Sequence, residues 1–467
     1  MDLRNFESLK FFYPEAILTG TILLLVLLDL VLRRKEILGY IAGAGCLLSL
    51  YATVELFGAR GGWLFQHMII LDNFSLFFKV LFLLAALLVI CMSLDCHELQ
   101  RVHKGEYYTV LLTSTLGMFF MASSSNLLMA YLSLELVSLT SYILTGSLPH
   151  NRRSTEAALK YLIYGGVSSG TMIYGMSWVF GMTGSLDYAR IGAALLQGEV
   201  NHLSLFMAFV FILAGFGYKI VFAPFHMWSP DVYQGAPTPI TAFLSVASNA
   251  AGLAIMIRFF FPALSRLGEN GSWLFLQGVE WPHFLLFLSM VTMTVGNLCA
   301  LNQQNVKRML AYSGIAHAGY LLMGLVVMIV ANATGREDLD GYHGLAWRGA
   351  AIPAVCMAIF LFSLTGLPPM AGFVGKFFLF AAVIRQGGMF VLLAVVAILN
   401  SVISLYYYAR VVKTMFFDFP QPGAQEVEMT PSHAALLGFL SCLTIFLGVY
   451  WGPLAFYAEW SLRFFVR

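Results

Sequence analysis

Long, nearly uncharged apolar stretches follow one another along this chain, separated by short polar connections. About 20 such residues make a helix long enough to cross a bilayer. In lipid only a helix or a closed barrel satisfies its own backbone. On that rule spans are expected near 14–32, 36–57, 73–94, 107–122, 126–147, 156–182, 203–223, 238–261, 283–300, 306–331, 347–366, 368–385, 389–415 and 432–451, fourteen in all. The expected fold is an all-α polytopic membrane protein. Hydrophobic residues make up 59% of the 467 and charged residues 11%, a balance no soluble core can use.

The remaining composition narrows the function. A net charge of +2 offers no basic face for nucleic acid. The six cysteines form no C-x-x-C pair and read as small core residues rather than metal ligands. The first apolar run carries Asp29 and has no small-residue cleavage site before Arg33-Arg34-Lys35, so it reads as a retained helix. Residues 454–467 are aromatic-rich and suit the membrane interface. No Gly-rich phosphate loop and no nucleotide or flavin fingerprint is present.

Lys and Arg set the orientation. Alternate connections hold Arg33-Arg34-Lys35, Arg101 with Lys104, Arg152-Arg153, Lys307-Arg308, and Arg410 with Lys413. The opposite ones hold mostly single residues: Arg60, Arg190, Arg266 and Arg385. The basic loops are therefore expected in the cytoplasm and both termini outside, with Arg4 and Lys10 arguing weakly the other way. The longest connections are 184–202 and 262–282.

Ionisable groups inside a span cost roughly 2.5 to 3.5 kcal/mol on insertion scales, so each needs a reason. Glu135 sits mid-span with Tyr131, Ser138 and Tyr142 at helical spacing, a polar stripe on one face. Lys219 sits in the seventh span and Lys376 in the twelfth. Glu135 and Lys219 are too central to reach water, and both, with Lys376, are read as functional. Lys79, Lys160 and Arg258 lie nearer span ends, where the ordinary expectation is a side chain that snorkels to the interface. His317, with Ser313 and Tyr320 on its face, reads equally as a packed histidine or a proton relay.

Helix breakers accompany the lysines. Pro224 follows Lys219 by five residues, and its ring removes a hydrogen bond to the carbonyl of Ile220. The twelfth span repeats the device with Pro368-Pro369, Gly372 and Gly375 before Lys376. Non-helical backbone at membrane depth survives where it is buried in protein or lines a wet cavity. Broken helices at matching places in two halves point to a transport site. Spans 4–8 and 9–13, read as two inverted five-helix units, pair the seventh span with the twelfth, and Lys219 with Lys376. The expected divisions are 1–106, 107–261, 283–415 and 416–467. In this reading Lys219 holds its proton while Glu135 is close and releases it when the pairing weakens.

One stretch is more specific. Ala-Pro-Phe-His-Met-Trp-Ser-Pro-Asp-Val-Tyr-Gln-Gly-Ala-Pro-Thr-Pro at 223–239 resembles the N-subunit family of respiratory complex I, the proton-pumping NADH–quinone oxidoreductase. So do Lys-Arg-Met-Leu-Ala-Tyr-Ser-Gly-Ile-Ala-His-Ala-Gly-Tyr at 307–320 and Gly-Phe-Val-Gly-Lys-Phe at 372–377. The likeness covers spans 3 to 13 well and the first two poorly. Asp-Val-Tyr-Gln-Gly-Ala-Pro favours the N branch over the sister L and M branches.

The resemblance implies fourteen spans, two inverted bundles and discontinuous helices 7 and 12. It implies that Glu135 and Lys219 form a Glu–Lys pair, that Lys376 stands at the outer half-channel, and that His226 belongs to a Pro-Phe-His motif. Close relatives carry a lysine in the eighth span where this chain has Asn249, which cannot carry charge. The link between half-channels then falls to water, Ser245, Ser248 or His317. The resemblance further implies a non-redox pumping subunit with no cofactor of its own. Flavin, iron–sulfur clusters, NADH and quinone would be held by other subunits. Its neighbours in the lipid bilayer would be antiporter-like M and small K-type and J-type subunits, in the bacterial inner membrane. The alternatives are a subunit of a multisubunit cation/proton antiporter or membrane-bound hydrogenase, and a membrane scaffold without transport.

Overall fold

The computed structural model describes the chain apart from residues 1–4, 60, 95, 101, 149, 198–199, 268–272, 276–280, 315–341, 421–430 and 463–467. Its helices, in chain order, are α1 (Tyr13–Val31), α2 (Ile37–Glu55), α3 (Asn73–Leu94), α4 (Lys104–Ser123), α5 (Leu127–Thr145), α6 (Arg152–Thr183) and α7 (His202–Ile220). There follow α8 (Thr238–Leu264), α9 (Trp281–Leu301), α10 (Val306–Ser313), α11 (Ala351–Thr365), α12 (Ala371–Gln386), α13 (Phe390–Phe416), α14 (Pro431–Val449) and α15 (Gly452–Leu462). Among the described residues eight helices are long and apolar enough to cross a membrane, or nine if the bent pair His433–Val449 and Gly452–Ser461 is one span. The fold is therefore an all-α polytopic membrane protein.

Local sequence explains where helices begin. Asn126, Asn151, Asn201 and Asn305 each precede a helix, and each side chain accepts a hydrogen bond from a backbone N–H of the first turn. The four helices they open are α5, α6, α7 and α10, all of which carry or adjoin the site. Large apolar side chains such as Leu27, Leu30, Val402 and Phe446 point outward, as expected where the surrounding solvent is lipid.

Two short antiparallel hairpins interrupt the helices: β1 (Gly62–Leu64) with β2 (Ile69–Leu71), and β3 (Ser265–Leu267) with β4 (Trp273–Phe275). Within 184–202, read from sequence only as a connection, a ten-residue helix runs from Tyr188 to Gln197. It buries Tyr188, Ile191 and Leu195 and leaves Arg190 outside, the pattern of an amphipathic helix lying against the bundle.

The snorkelling expectation fails for two of its three cations. Lys79 is buried and pairs at 2.5 Å with Glu15, itself buried in the first turn of α1. Arg258 is buried and binds Asp72 through two nitrogens at 2.5 and 2.7 Å, while its Nε donates to the carbonyl of Ala122 at 3.1 Å. Its guanidinium also lies 4.7 Å from the ring centre of Phe74. Carboxylates distant in sequence draw both cations inward, which a window on one span cannot see. Lys160 does lie half-exposed at the helix edge, paired with Glu156 and Asp231.

Candidate functional site: two lysines at two helix breaks

α7 stops at Ile220, four residues before Pro224. Val221 takes a left-handed conformation at φ 66°, a strained choice for a β-branched residue. The last carbonyls of a helix need partners from elsewhere. Gly217 O accepts the amides of Val221 and Phe222, and Tyr218 O accepts the indole N–H of Trp228 at 3.2 Å. The amide of Ala223 donates to Thr292 Oγ1 of α9 at 3.0 Å. Beyond the break the chain forms a short helix, Ser229–Gly235, and then enters α8.

Lys219 sits in the last turn of α7, where the negative end of the helix dipole favours a cation. It is fully buried, and its Nζ has no hydrogen-bond partner among the described residues. Glu135 on α5 has a buried carboxylate oxygen that is likewise without a partner. Glu135 shares α5 with Tyr131 and Tyr142, and Tyr218 adjoins Lys219 on α7. The hydroxyls of Tyr142 and Tyr218 converge on α6: a Cβ at Gly165 would collide with Tyr142 Oη and lie 2.8 Å from Tyr218 Oη. A side chain at 165 would therefore evict one of them.

An aromatic wall closes this region. Tyr161 stacks on Trp228 with ring centres 4.2 Å apart, and Tyr142 meets Tyr161 edge-on at 4.8 Å. Such rings bury a large apolar area while the tyrosine hydroxyls keep a polar edge. Asn249 follows a π-helical turn, Leu244–Ser248, and its Nδ2 donates to Ser245 O at 2.9 Å. Gly252, one turn further on α8, packs on the stem of Lys219, whose Cγ would lie 3.3 Å from an added Cβ. The structure thus brings the helix of Glu135 and the helix of Asn249 against that of Lys219. His226 is buried beyond the break, with its Nδ1 unpartnered and no hydrogen bond to either charge among the described residues.

Lys376 forms a separate centre. Its Nζ donates to Thr365 O, the last residue of α11, at 2.9 Å and to Ser401 Oγ of α13 at 3.3 Å. Gly366 ends α11 with φ 89° and leaves room for the lysine stem, which an added Cβ would meet at 2.8 Å. Lys219 therefore stands at the C-terminal end of its own helix, whereas Lys376 sits in the first half of the unbroken α12 and reaches with its Nζ to the C-terminal end of α11. His317 lies outside the described residues.

A polar path that sequence reasoning missed lies beside Lys376. Asn297 Nδ2 donates to Asn400 Oδ1 at 3.1 Å, and Tyr407 Oη donates to Asn297 Oδ1 at 2.9 Å. Tyr407 and Tyr408 are 4.5 Å apart, and the Tyr408 hydroxyl meets that of Ser313 on α10. Asn400, Ser404, Tyr407 and Tyr408 recur at i, i+4, i+7 and i+8 on α13, so the stripe was available to a period count.

At the end of the bundle carrying the basic connections, carboxylates and cations interlock. Asp231 binds Lys160 at 2.7 Å and Arg308 at 2.5 Å, and Gln234 accepts from Arg308 at 3.2 Å. Glu98 accepts from the backbone and hydroxyl of Thr238 at 2.9 and 3.0 Å and pairs with Lys307 at 3.7 Å. Asp231 lies in the connection between α7 and α8. Burial pushes its carboxyl up, but Lys160 and Arg308 outweigh burial and hold it below the usual carboxylate range. Among the described residues no group of three or more His, Cys, Asp or Glu side chains is placed to hold a metal ion.

Comparison with known proteins completes the description. Residues 124–336 and 325–404 match the family described as NADH:quinone oxidoreductase/Mrp antiporter, transmembrane. The chain is 42% identical to NADH-quinone oxidoreductase subunit N of Anaeromyxobacter sp. (strain Fw109-5), over 99% of this chain and 98% of that one. Among solved structures, a chain of respiratory complex I from Thermus thermophilus superposes with a TM-score of 0.75 at 29% identity, covering 94% of this chain and 97% of the other. A chain of the membrane-bound sulfane sulfur reductase, an archaeal respiratory membrane complex, superposes with a TM-score of 0.83 at 21% identity, covering 97% of each. That last likeness speaks for the fold alone.

Proposed function

The chain belongs to the NADH:quinone oxidoreductase/Mrp antiporter family of membrane subunits, and from that premise we propose that it is the proton-moving N subunit of a NADH–quinone oxidoreductase in the bacterial inner membrane. Identity over nearly the whole of a subunit N supports this branch over the cation/proton antiporters and membrane-bound hydrogenases. The chain crosses the membrane fourteen times with both termini outside. Residues 107–261 and 283–415 form two inverted five-helix units, preceded by 1–106 and followed by 416–467. It holds no redox cofactor. NADH, quinone, flavin and iron–sulfur clusters belong to other subunits, and M-type, K-type and J-type membrane subunits are its neighbours.

The observation that carries the proposal is Lys219: buried, without a hydrogen-bond partner among the described residues, and at a helix break whose Tyr218 meets Tyr142 of the Glu135 helix at Gly165. An uncompensated buried charge is expensive, so small changes in the Glu135–Lys219 relation move the proton. Water enters at the break, and the proton passes between Lys219 and the Lys376 centre through water and the polar groups between them. Asn249 orients that path by hydrogen bonding and carries no charge along it. His226 lines the exit from the break, and His317 serves on the tenth span. Quinone reduction elsewhere in the complex supplies the drive.

The test uses the purified complex in liposomes. Lys219→Ala is expected to slow proton transfer through this subunit on the order of a hundredfold, within the range for loss of a positioned proton-transfer group, and so to lower proton uptake per electron pair by the share this subunit contributes. If the variant complex assembles at the normal level and pumps as before, the reading fails.

A further inference from the structure

Between Ile220 and Pro224 the break leaves one donor that its own helix does not satisfy. Val221 and Phe222 turn their amides back to Gly217 O. Pro224 has no N–H. The remaining donor is Ala223, four residues past Lys219. Its partner is the hydroxyl of Thr292, 69 positions further on and buried in α9. A buried amide left without an acceptor is costly, so the position of that hydroxyl constrains which conformation the break adopts.

α9 has a second attachment. Asn297, five residues beyond Thr292, donates to Asn400 and accepts from Tyr407 on α13. Asn400 also donates to Thr294 of α9 at 3.4 Å. The next residue on α13, Ser401, accepts from Lys376. One rigid helix is thus hydrogen-bonded to the break beside Lys219 and to the helix that receives Lys376.

We propose that Thr292 is a positioning residue: its hydroxyl, held on α9, sets the backbone of the break and so the placement of Lys219, which ties the first lysine centre to the second. The proposal rests on the pumping role given to Lys219 above. Thr292 does not itself carry a proton. A shift of α9 relative to α7 strains or breaks this hydrogen bond and changes the surroundings of Lys219.

Three variants of the intact complex test this. Hydrogen–deuterium exchange is read on the peptide containing Ala223, and proton uptake per electron pair is read in liposomes. Thr292→Val keeps the shape and removes the acceptor. It is expected to speed exchange at Ala223 by about tenfold, in line with the loss of one buried hydrogen bond, and to slow proton transfer through this subunit by roughly threefold or more. Thr292→Ser keeps the hydroxyl and is expected to restore both, which a purely space-filling role would not. Lys219→Ala serves as the reference. Unchanged exchange and pumping in Thr292→Val, beside a Lys219→Ala with lowered pumping, overturns the inference and leaves the site reading intact. Normal pumping by Lys219→Ala overturns the reading beneath it. If Thr292→Val does not assemble, Thr292→Ala is read on the same peptide. A serine variant as impaired as the valine or alanine one also refutes a hydroxyl role.

Discussion

At Gly165 a single missing methyl group makes room for the hydroxyls of Tyr142 and Tyr218 beside the Glu135–Lys219 site. Gly165→Ala is therefore expected to destabilise the chain by about 1–3 kcal/mol, the usual cost of overpacking a filled site. Because the deepest overlap is with Tyr142 Oη, while Tyr142 Cζ at 2.7 Å and Tyr218 Oη at 2.8 Å still crowd the added methyl, adding Tyr142→Phe should recover part of that loss. Thermal inactivation of the two variants checks this, and equal loss in both would place the strain elsewhere. Residues differ in how far sequence reveals them. Glu135, Lys219 and Lys376 are legible because a charge in an apolar span has few bland explanations. Thr292 and Asn297 are not. A threonine or asparagine in a span ordinarily bonds back to its own helix, as Asn249 does with Ser245, so only the fold shows that these two reach across to other chain segments.

Among elements, α1 and α3 hold the clearest surprise. Glu15 and Lys79 make a buried pair at 2.5 Å between them. Removing one partner leaves an unpaired charge and is expected to cost about 3–5 kcal/mol, whereas exchanging both for apolar residues of similar size is close to neutral. Glu15→Leu alone should therefore lower the level of assembled chain sharply. Glu15→Leu with Lys79→Met should restore it, as read by the amount of complex extracted from membranes. Failure of the double variant to recover would mean that the pair does more than compensate itself. The helices were legible from apolar length, and the caps at Asn126, Asn151, Asn201 and Asn305 are ordinary start signals. α7 ends at Ile220, three residues short of the expected 223. Val221 in the left-handed region stops the helix four residues before Pro224, and no propensity marks a valine for that conformation.

Across the whole molecule two sets of contacts tie early helices to late ones. Within the bundle α9 bonds to the break after Lys219 and to α13. At one end, Lys307 and Arg308 of α10 bind Glu98 and Asp231, which flank the path from the broken helix into α8. The sequence reads Lys307-Arg308 only as an orientation signal; the ion pairs with Glu98 and Asp231 are contacts that loop counting cannot supply. The pH dependence of this clasp follows from the carboxyl of Asp231. Its folded value is held below its unfolded one, so the stabilisation is fully present above about pH 4, the ordinary aspartate value, and is lost as pH falls through the depressed folded value. Between pH 5 and 8 the clasp should therefore not titrate. Because its charges are partly exposed, salt should loosen it instead. Asp231→Asn is expected to lower stability by about 1 kcal/mol and to flatten the salt dependence of thermal inactivation, with little change in its pH dependence over that interval. A wild-type complex whose inactivation temperature shifted with pH from 5 to 8 but lost that shift in Asp231→Asn would show that this carboxylate titrates in the working range and that the clasp is a switch rather than a fixed brace.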